Sequence, residues 1–247
     1  MIAKARFALC AVLALAGLAC AGAGHPPAPA KEPAAMDTFP KGDLSRVDHV
    51  ILGIDDLQKG IEELERRTGV RAEFGGAHPG RGTQNALISL GEHHYLEILA
   101  PNPKEKGGER TDELRKLATL TPIGWAARAN DLPATQRLLR DHGAQTGEIR
   151  PGARKRPDGT RLAWKTLEYT SPASPLLPFF IEWDHATAHP SAASPQGCRL
   201  ADLILEDPNP AVLQDALRAA DVGVEVREGK ESRIHLSLAC PKGTVDF

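Results

Sequence analysis

The sequence predicts an α+β fold made of paired βαβββ modules, followed by a third, partial module. Three observations predict it. Residues 47–101 run strand, capped amphipathic helix, then three strand-like stretches. The same order returns in residues 121–185, and a shorter version returns in residues 198–247. A repeat at this scale points to one supersecondary unit used more than once.

The first unit is the clearest. Asp48 to Ile54 reads as a strand, and side chains alternate between the faces of a strand. Val50, Leu52 and Ile54 therefore share one face, while His49, Ile51 and Gly53 share the other. Asp55 and Asp56 suit a helix N-cap, Leu57, Ile61 and Leu64 follow at helical spacing, and Gly69 suits the C-cap. After a glycine-rich turn, GGAHPGRGTQN, the stretch ALISLGEHHYLEILAP closes the unit with Leu96 and Ile98 on one face and Tyr95, Glu97 and Leu99 on the other. If the helix covers the aliphatic faces, His49 and Glu97 fall together on the opposite face. An imidazole and a carboxylate so placed are half of a metal site.

The second unit begins with a strand at Ile123 to Ala127. A helix follows from Asn130-Asp131-Leu132-Pro133 through Leu138 and Leu139 to Gly143. A strand around Thr146 to Ile149 leads into a hairpin that turns at Pro157-Asp158-Gly159 and returns through Leu162-Ala163-Trp164. Pro178 to Trp183 closes the unit, with Glu182 set against Glu97. The third unit has a strand at Leu200 to Leu205, a helix from Asp207-Pro208 through Val212, Leu213 and Leu217, and strands at Gly223 to Val226 and Ile234 to Leu238. Ser237 stands at its acidic position, so this unit reads as scaffold. Between the first two units, Lys104 to Leu120 reads as a linker helix that buries Leu114 and Leu117.

His49 early in the first strand, Glu97 in the fourth, and the stretches GGAHPGRGTQNALISLG, YLEILAP, RPDG and PFFIEW are similar to the vicinal oxygen chelate (glyoxalase/bleomycin-resistance/dioxygenase) superfamily, in its glyoxalase-like domain branch. The resemblance implies two modules pairing their sheets into a cleft. It carries over His49, Glu97 and Glu182 as ligands of a divalent ion, with Glu97 and Glu182 also as catalytic acid and base. The fourth position, a second His in many relatives, falls on Gly124. Such oxygen-rich ligation favours Mn, Mg or Fe(II) over Zn. The ion would stabilise an enolate or alkoxide on a small oxygen-rich substrate, in a lyase, isomerase or dioxygenase reaction. The alternative is a metal-free protein that binds or sequesters a small molecule.

Around that cleft, His78 and Asn85 are candidate substrate-binding residues. Arg154 and Arg156, from the basic cluster around the hairpin turn, are candidate anion-binding residues, because arginine grips carboxylates bidentately. His93 and His94 read as turn residues, and His185 as better placed than His189 to reach the site. No GxSxG, phosphate loop, dinucleotide fingerprint or HExxH occurs.

The chain has 247 residues, with 30 Lys+Arg against 32 Asp+Glu and a formal net charge of -2. This balance argues against a broadly basic nucleic-acid surface. Residues 1–23 have the layout of an export signal: Lys4 and Arg6, an apolar run from Phe7 to Ala19, then small residues. The run is short for a membrane span. Both peptidase cleavage near Ala19-Cys20-Ala21 and lipidation of Cys20 are readings of this stretch, and lipidation would be the chain's sole membrane attachment. Residues 24–44 read as an Ala/Pro-rich linker, and residues 45–247 as the folded domain, in a periplasmic, secreted or envelope-anchored protein. Cys198 and Cys240 remain in the fold. The module alignment puts them at the start and end of parallel neighbouring strands, beyond the roughly 7 Å Cα separation that a disulfide tolerates, so the expectation is two unbridged thiols.

Overall fold

A computed structural model describes residues 42–156 and 159–247. The expected signal, the Ala/Pro-rich linker to residue 41, Cys20 and the turn residues Pro157 and Asp158 lie outside the described residues.

The first module is β1 (Val47–Gly53), α1 (Leu57–Thr68), β2 (Glu73–His78), β3 (Thr83–Ser89) and β4 (Tyr95–Pro101). A short helix, α2 (Glu109–Leu114), links it to the second: β5 (Thr121–Arg128), α3 (Leu132–Asp141), β6 (Arg150–Lys155), β7 (Arg161–Leu167) and β8 (Phe179–Trp183). The remainder is β9 (Arg199–Asp207), α4 (Pro210–Ala219), β10 (Glu225–Glu228), β11 (Arg233–Cys240) and β12 (Gly243–Asp246). Strands β1 to β8 form one sheet in the order β2-β3-β4-β1-β5-β8-β7-β6, so the modules meet back to back through antiparallel β1 and β5. The third unit forms its own sheet, β10-β9-β11-β12, and supplies a final strand that the sequence pattern did not suggest.

The helices form where the pattern placed them. Asp56 caps α1 by accepting from Lys59 N, and Gly69 ends it in the left-handed conformation that glycine adopts without a Cβ clash. Leu57, Ile61 and Leu64 of α1 pack with Val50, Leu52, Ile54, Leu96 and Ile98 in a core that also takes in Phe180, Leu132 and Leu139 of the second module and Leu203, Leu205, Leu213 and Leu217 of the third. The three units are thus joined through one apolar layer. On the opposite face of the large sheet, Ile51, Leu99 and Leu114 form a small separate cluster with Leu117, Ile123 and Phe179. Among the described residues, no helix is long and apolar enough to cross a membrane.

The large sheet curls until its edge strands touch. A Cβ on Gly75 of β2 would lie 2.5 Å from Asn85 Oδ1 and 3.0 Å from Arg154 Nη1, and one on Gly76 would lie 3.3 Å from Lys155 O. Only a bare backbone passes so close. The curl encloses the face that carries His49 and Glu97.

Two expectations need correction. The strand expected at Thr146 to Ile149 lies at Arg150–Lys155, and Thr146 makes only an isolated bridge to Tyr169. Cys198 and Cys240 are bonded, with Cα atoms 4.2 Å apart. The error lay in strand direction. β9 and β11 are antiparallel, and Arg199 pairs with Ala239, so the start of one strand lies beside the end of the other. Removing such a cross-link, with 42 residues of sequence separation, is expected to cost about 2–4 kcal/mol. A Cys240→Ser variant should show a correspondingly lower urea midpoint, with no further loss on adding reductant.

Candidate functional site

The site is a buried polar cluster on the enclosed face of the eight-stranded sheet. Strict alternation would send Asp48 to the apolar layer, opposite His49. It does not go there, because the pairing of β1 with β5 shifts register between Val47 and His49, leaving Asp48 as the extra residue of a bulge. A bulge re-aims a side chain in this way.

Asp48 is fully buried and meets three nitrogens. His49 Nδ1 lies 2.8 Å from Oδ1, while Trp183 Nε1 and His189 Nε2 lie 3.1 and 3.2 Å from Oδ2. Burial by itself would raise this carboxyl. Hydrogen bonds from His189 and His49, with their charges, outweigh it and hold the pKa at about 2. The ionised Asp48 is an acceptor only, so His49 carries a proton on Nδ1 and, in its neutral form, a bare lone pair on Nε2. His189 is fixed in the complementary way: its Nδ1 accepts from Ser191 N, and its Nε2–H donates to Asp48.

The His49 ring stacks on Tyr95 at 4.4 Å, with Phe179 edge-on at 5.5 Å. Its Nε2 points toward Glu97 Oε2, 3.7 Å away. Glu97 Oε1 accepts from Asn85 Nδ2 at 2.7 Å and lies 3.7 Å from His78 Nε2. Burial pushes the Glu97 carboxyl up, but His78, His49, the Asn85 hydrogen bond and Arg154 together bring it below its ordinary value. Burial lowers the His78 imidazole, against the pull of Glu97, and favours its neutral form. The Nδ1 of His78 meets Thr83 Oγ1 at 2.9 Å. Burial also lowers the Arg154 guanidinium, which Tyr95 and Glu97 partly restore, and raises the Tyr95 hydroxyl well above its usual range.

Two buried side-chain atoms here have no hydrogen-bond partner among the described residues: Arg154 Nη1 and Asn85 Oδ1. Both crowd the same glycine, Gly75. Arg156 lies farther out and donates to Pro190 O at 3.4 Å.

The structure therefore brings together His49, Glu97, His78, Asn85 and Arg154. It sends Glu182 elsewhere. Glu182 Oε2 accepts from Leu132 N at 2.7 Å, and Oε1 lies 3.4 Å from Lys165 Nζ, so this carboxylate caps α3 on the helix-covered face. The reason is a register slip of one residue, which reverses the face of every side chain. Counted from the strand starts, Phe179, Phe180 and Ile181 match Tyr95, Leu96 and Glu97, and the inward position of β8 holds Ile181. Aligning the fully buried Phe180 with Leu96 would have found this. Asp48, Tyr95, Trp183 and His189 were missed. His189, not the exposed His185, reaches the site. A Cβ on Gly124 would meet nothing within 4 Å, so that corner is open.

The donors do not fit the expected three-ligand ion site. Of His49, Glu97 and Glu182, only the first two share the face, and among the described residues no three His, Cys, Asp or Glu side chains are grouped to hold an ion. No step is therefore derived through a metal.

The family described as Glyoxalase-like domain matches residues 47–220. The chain belongs to this family. A search of curated proteins found no match. Among solved structures, the glyoxalase-like chain resembles a hypothetical protein from Staphylococcus aureus, with 16% identity and a TM-score of 0.59, covering 81% of this chain and 98% of that one. It also resembles methylmalonyl-CoA epimerase from Mycobacterium tuberculosis, with 22% identity and a TM-score of 0.44 over 60% of this chain and 91% of that one. A variant of the Streptomyces coelicolor epimerase, in complex with 2-nitronate-propionyl-CoA, shares 19% identity at a TM-score of 0.43 over 58% and 97%. The first of these likenesses, at a TM-score of 0.59, bears on the fold alone.

Two predictions follow from this geometry. The folded-state pKa of Asp48 lies below its ordinary 3.8, so the unfolded chain takes up the proton first as pH falls. Stability present above pH 4 is lost toward pH 2, by about 2 kcal/mol. Urea titrations of the parent and Asp48→Asn at pH 2.5, 4 and 7 should show this slope in the parent and a smaller one in the variant, where Glu97 still contributes. Glu182→Ala, by contrast, removes a helix cap and should cost about 1 kcal/mol while leaving ligand binding in the cleft unchanged by calorimetry.

Proposed function

We propose that the enclosed face binds a small oxygen-rich molecule, and that Glu97 moves a proton on it in an isomerase- or lyase-type reaction. One observation carries this reading. Glu97 is buried and favoured in its ionised form, its Oε1 accepts from Asn85 Nδ2, and its Oε2 lies 3.7 Å from His49 Nε2, beyond hydrogen-bond reach. A desolvated carboxylate with a free oxygen is a competent general base.

In this reading, a proton on the carbon next to a carbonyl or carboxyl group passes to Glu97 Oε2. The electron pair of the broken C–H bond moves onto the neighbouring oxygen, and the Arg154 cation opposes the charge that develops there. Return of the proton to either face of that carbon gives an isomer; expulsion of a neighbouring group gives a lyase product. The divalent ion implied by the resemblance would need a donor beyond His49 and Glu97. The second reading, a binding protein without turnover, is favoured by the near-complete burial of His49, Asn85, Glu97 and Arg154, which suits retention of a ligand.

Export is part of the proposal. It is supported by the Cys198–Cys240 bond, since such cross-links persist in oxidising compartments. Thiol alkylation of the protein in cell fractions should find both cysteines blocked and the protein outside the cytoplasm; free thiols in a cytoplasmic pool would overturn it.

The catalytic reading is tested by proton NMR in D2O with a panel of 2-oxo and 2-hydroxy carboxylates. The parent should wash deuterium into the 2- or 3-position of at least one compound, and Glu97→Gln should slow this at least about 100-fold with binding retained. Saturable binding without exchange would favour the sequestering reading. Equal exchange in the variant would remove Glu97 from the chemistry.

A further inference from the structure

We infer a second small-molecule site, outside the enclosed face, in the seam between the second module and the third unit. There a compact apolar molecule seats between α3 and α4 and offers a carbonyl or ether oxygen to the Tyr169 hydroxyl. The inference is independent of the chemistry proposed for Glu97.

The site begins with a hollow that the fold leaves unfilled. The C-terminal end of α3, the stretch after β7 and the last turns of α4 meet around a cavity of about 200 Å³. Its apolar walls are Leu139, Leu177 and four alanines, Ala144, Ala173, Ala216 and Ala219. Interiors ordinarily pack with few voids larger than a water molecule, and the alanines leave this one open. The apolar surface also continues outward along both helices. Leu138 stands one turn before His142, and Val212 one turn before Ala216, so each shares a helix face with a lining residue. Both are large apolar side chains left exposed.

Tyr169 supplies the polar contact. Its ring lies 6.1 Å from that of the fully buried Phe180, so the core backs it. Among the described residues, its hydroxyl is buried without a hydrogen-bond partner. Tyr169 also lines a neighbouring cavity of about 60 Å³, and it is the one residue common to the two linings. Burial raises its pKa to about 12, so at neutral pH the group keeps its hydrogen and donates. A buried donor left unmade is costly, and a ligand oxygen meets it.

The volume limits the occupant. Sites for drug-sized molecules run to roughly 300–1,000 Å³, whereas an apolar cavity of roughly 150 Å³ holds benzene. One ring, or a chain of similar size, is therefore the scale. His142, Gln145 and Ser171 line the cavity while exposed, so it opens to solvent.

Acetophenone, a one-ring ketone, tests this against ethylbenzene, which has a similar shape without the oxygen. Each is titrated into the full chain carrying carbon-13 in its alanine methyl groups. Acetophenone should shift the Ala144, Ala173, Ala216 and Ala219 signals saturably. It should bind at least about fivefold tighter than ethylbenzene, the worth of roughly one hydrogen bond. Tyr169→Phe keeps the ring and removes the hydroxyl, so that preference should vanish while ethylbenzene binding holds. Ala216→Leu fills the hollow and should abolish binding of both probes with a folded methyl spectrum. Ala173→Leu, which lies outside the helices, does the same if the first variant does not fold. Signals that stay still up to the solubility of both probes, as in a hollow that holds water alone, would overturn the inference. Equal affinity for the two probes, or a preference unchanged in Tyr169→Phe, would overturn it as well.

Discussion

The site is organised by one buried carboxylate. Asp48 enters the enclosed face because β1 bulges where it pairs with β5, and that seam also joins the two modules. Once there it gathers His49 from its own strand, Trp183 from the end of β8 and His189 from the segment after it. Three N–H groups offset the desolvation of one charge. The same contacts tie the second module's last strand to the first module's first strand and fix which nitrogen of His49 faces Asp48. Stability and chemical readiness therefore share a cause.

Around this anchor the charges are arranged in sequence: Asp48, His49, Glu97, then Asn85 with Arg154. Two imidazoles flank the Glu97 carboxylate, and a guanidinium lies beyond it. Arg154 supplies positive charge to a cleft from which the second expected carboxylate, Glu182, is absent. The fold of the superfamily does not dictate one chemistry, and here the departures bear most directly on function: Ile181 at the inward position of β8, an open corner at Gly124, and a buried arginine on β6.

Much of the fold was legible from local pattern. The strand of alternating apolar residues, the Asp56 cap, the Leu57-Ile61-Leu64 spacing and Gly69 all agree on one first module, and the structure has it. Half of the site was legible for the same reason, since alternation puts His49 and Glu97 on one face. The rest was not, because it depends on irregularity and direction. A bulge at Asp48 leaves no mark in periodicity. In Phe-Phe-Ile-Glu-Trp the glutamate drew the alignment by one residue, when the buried aromatic was the better guide. The cysteine pairing failed on strand direction, which short apolar strands do not encode by themselves.

The most direct measurement is the nitrogen-15 NMR signature of His49 in ligand-free protein, labelled at histidine and assigned with a His49→Phe control. The account predicts that the neutral form of the ring bears its proton on Nδ1, with that tautomer lost or inverted in Asp48→Asn. A neutral ring bearing its proton on Nε2 in the parent would contradict it, because Asp48 would then receive no hydrogen from Nδ1.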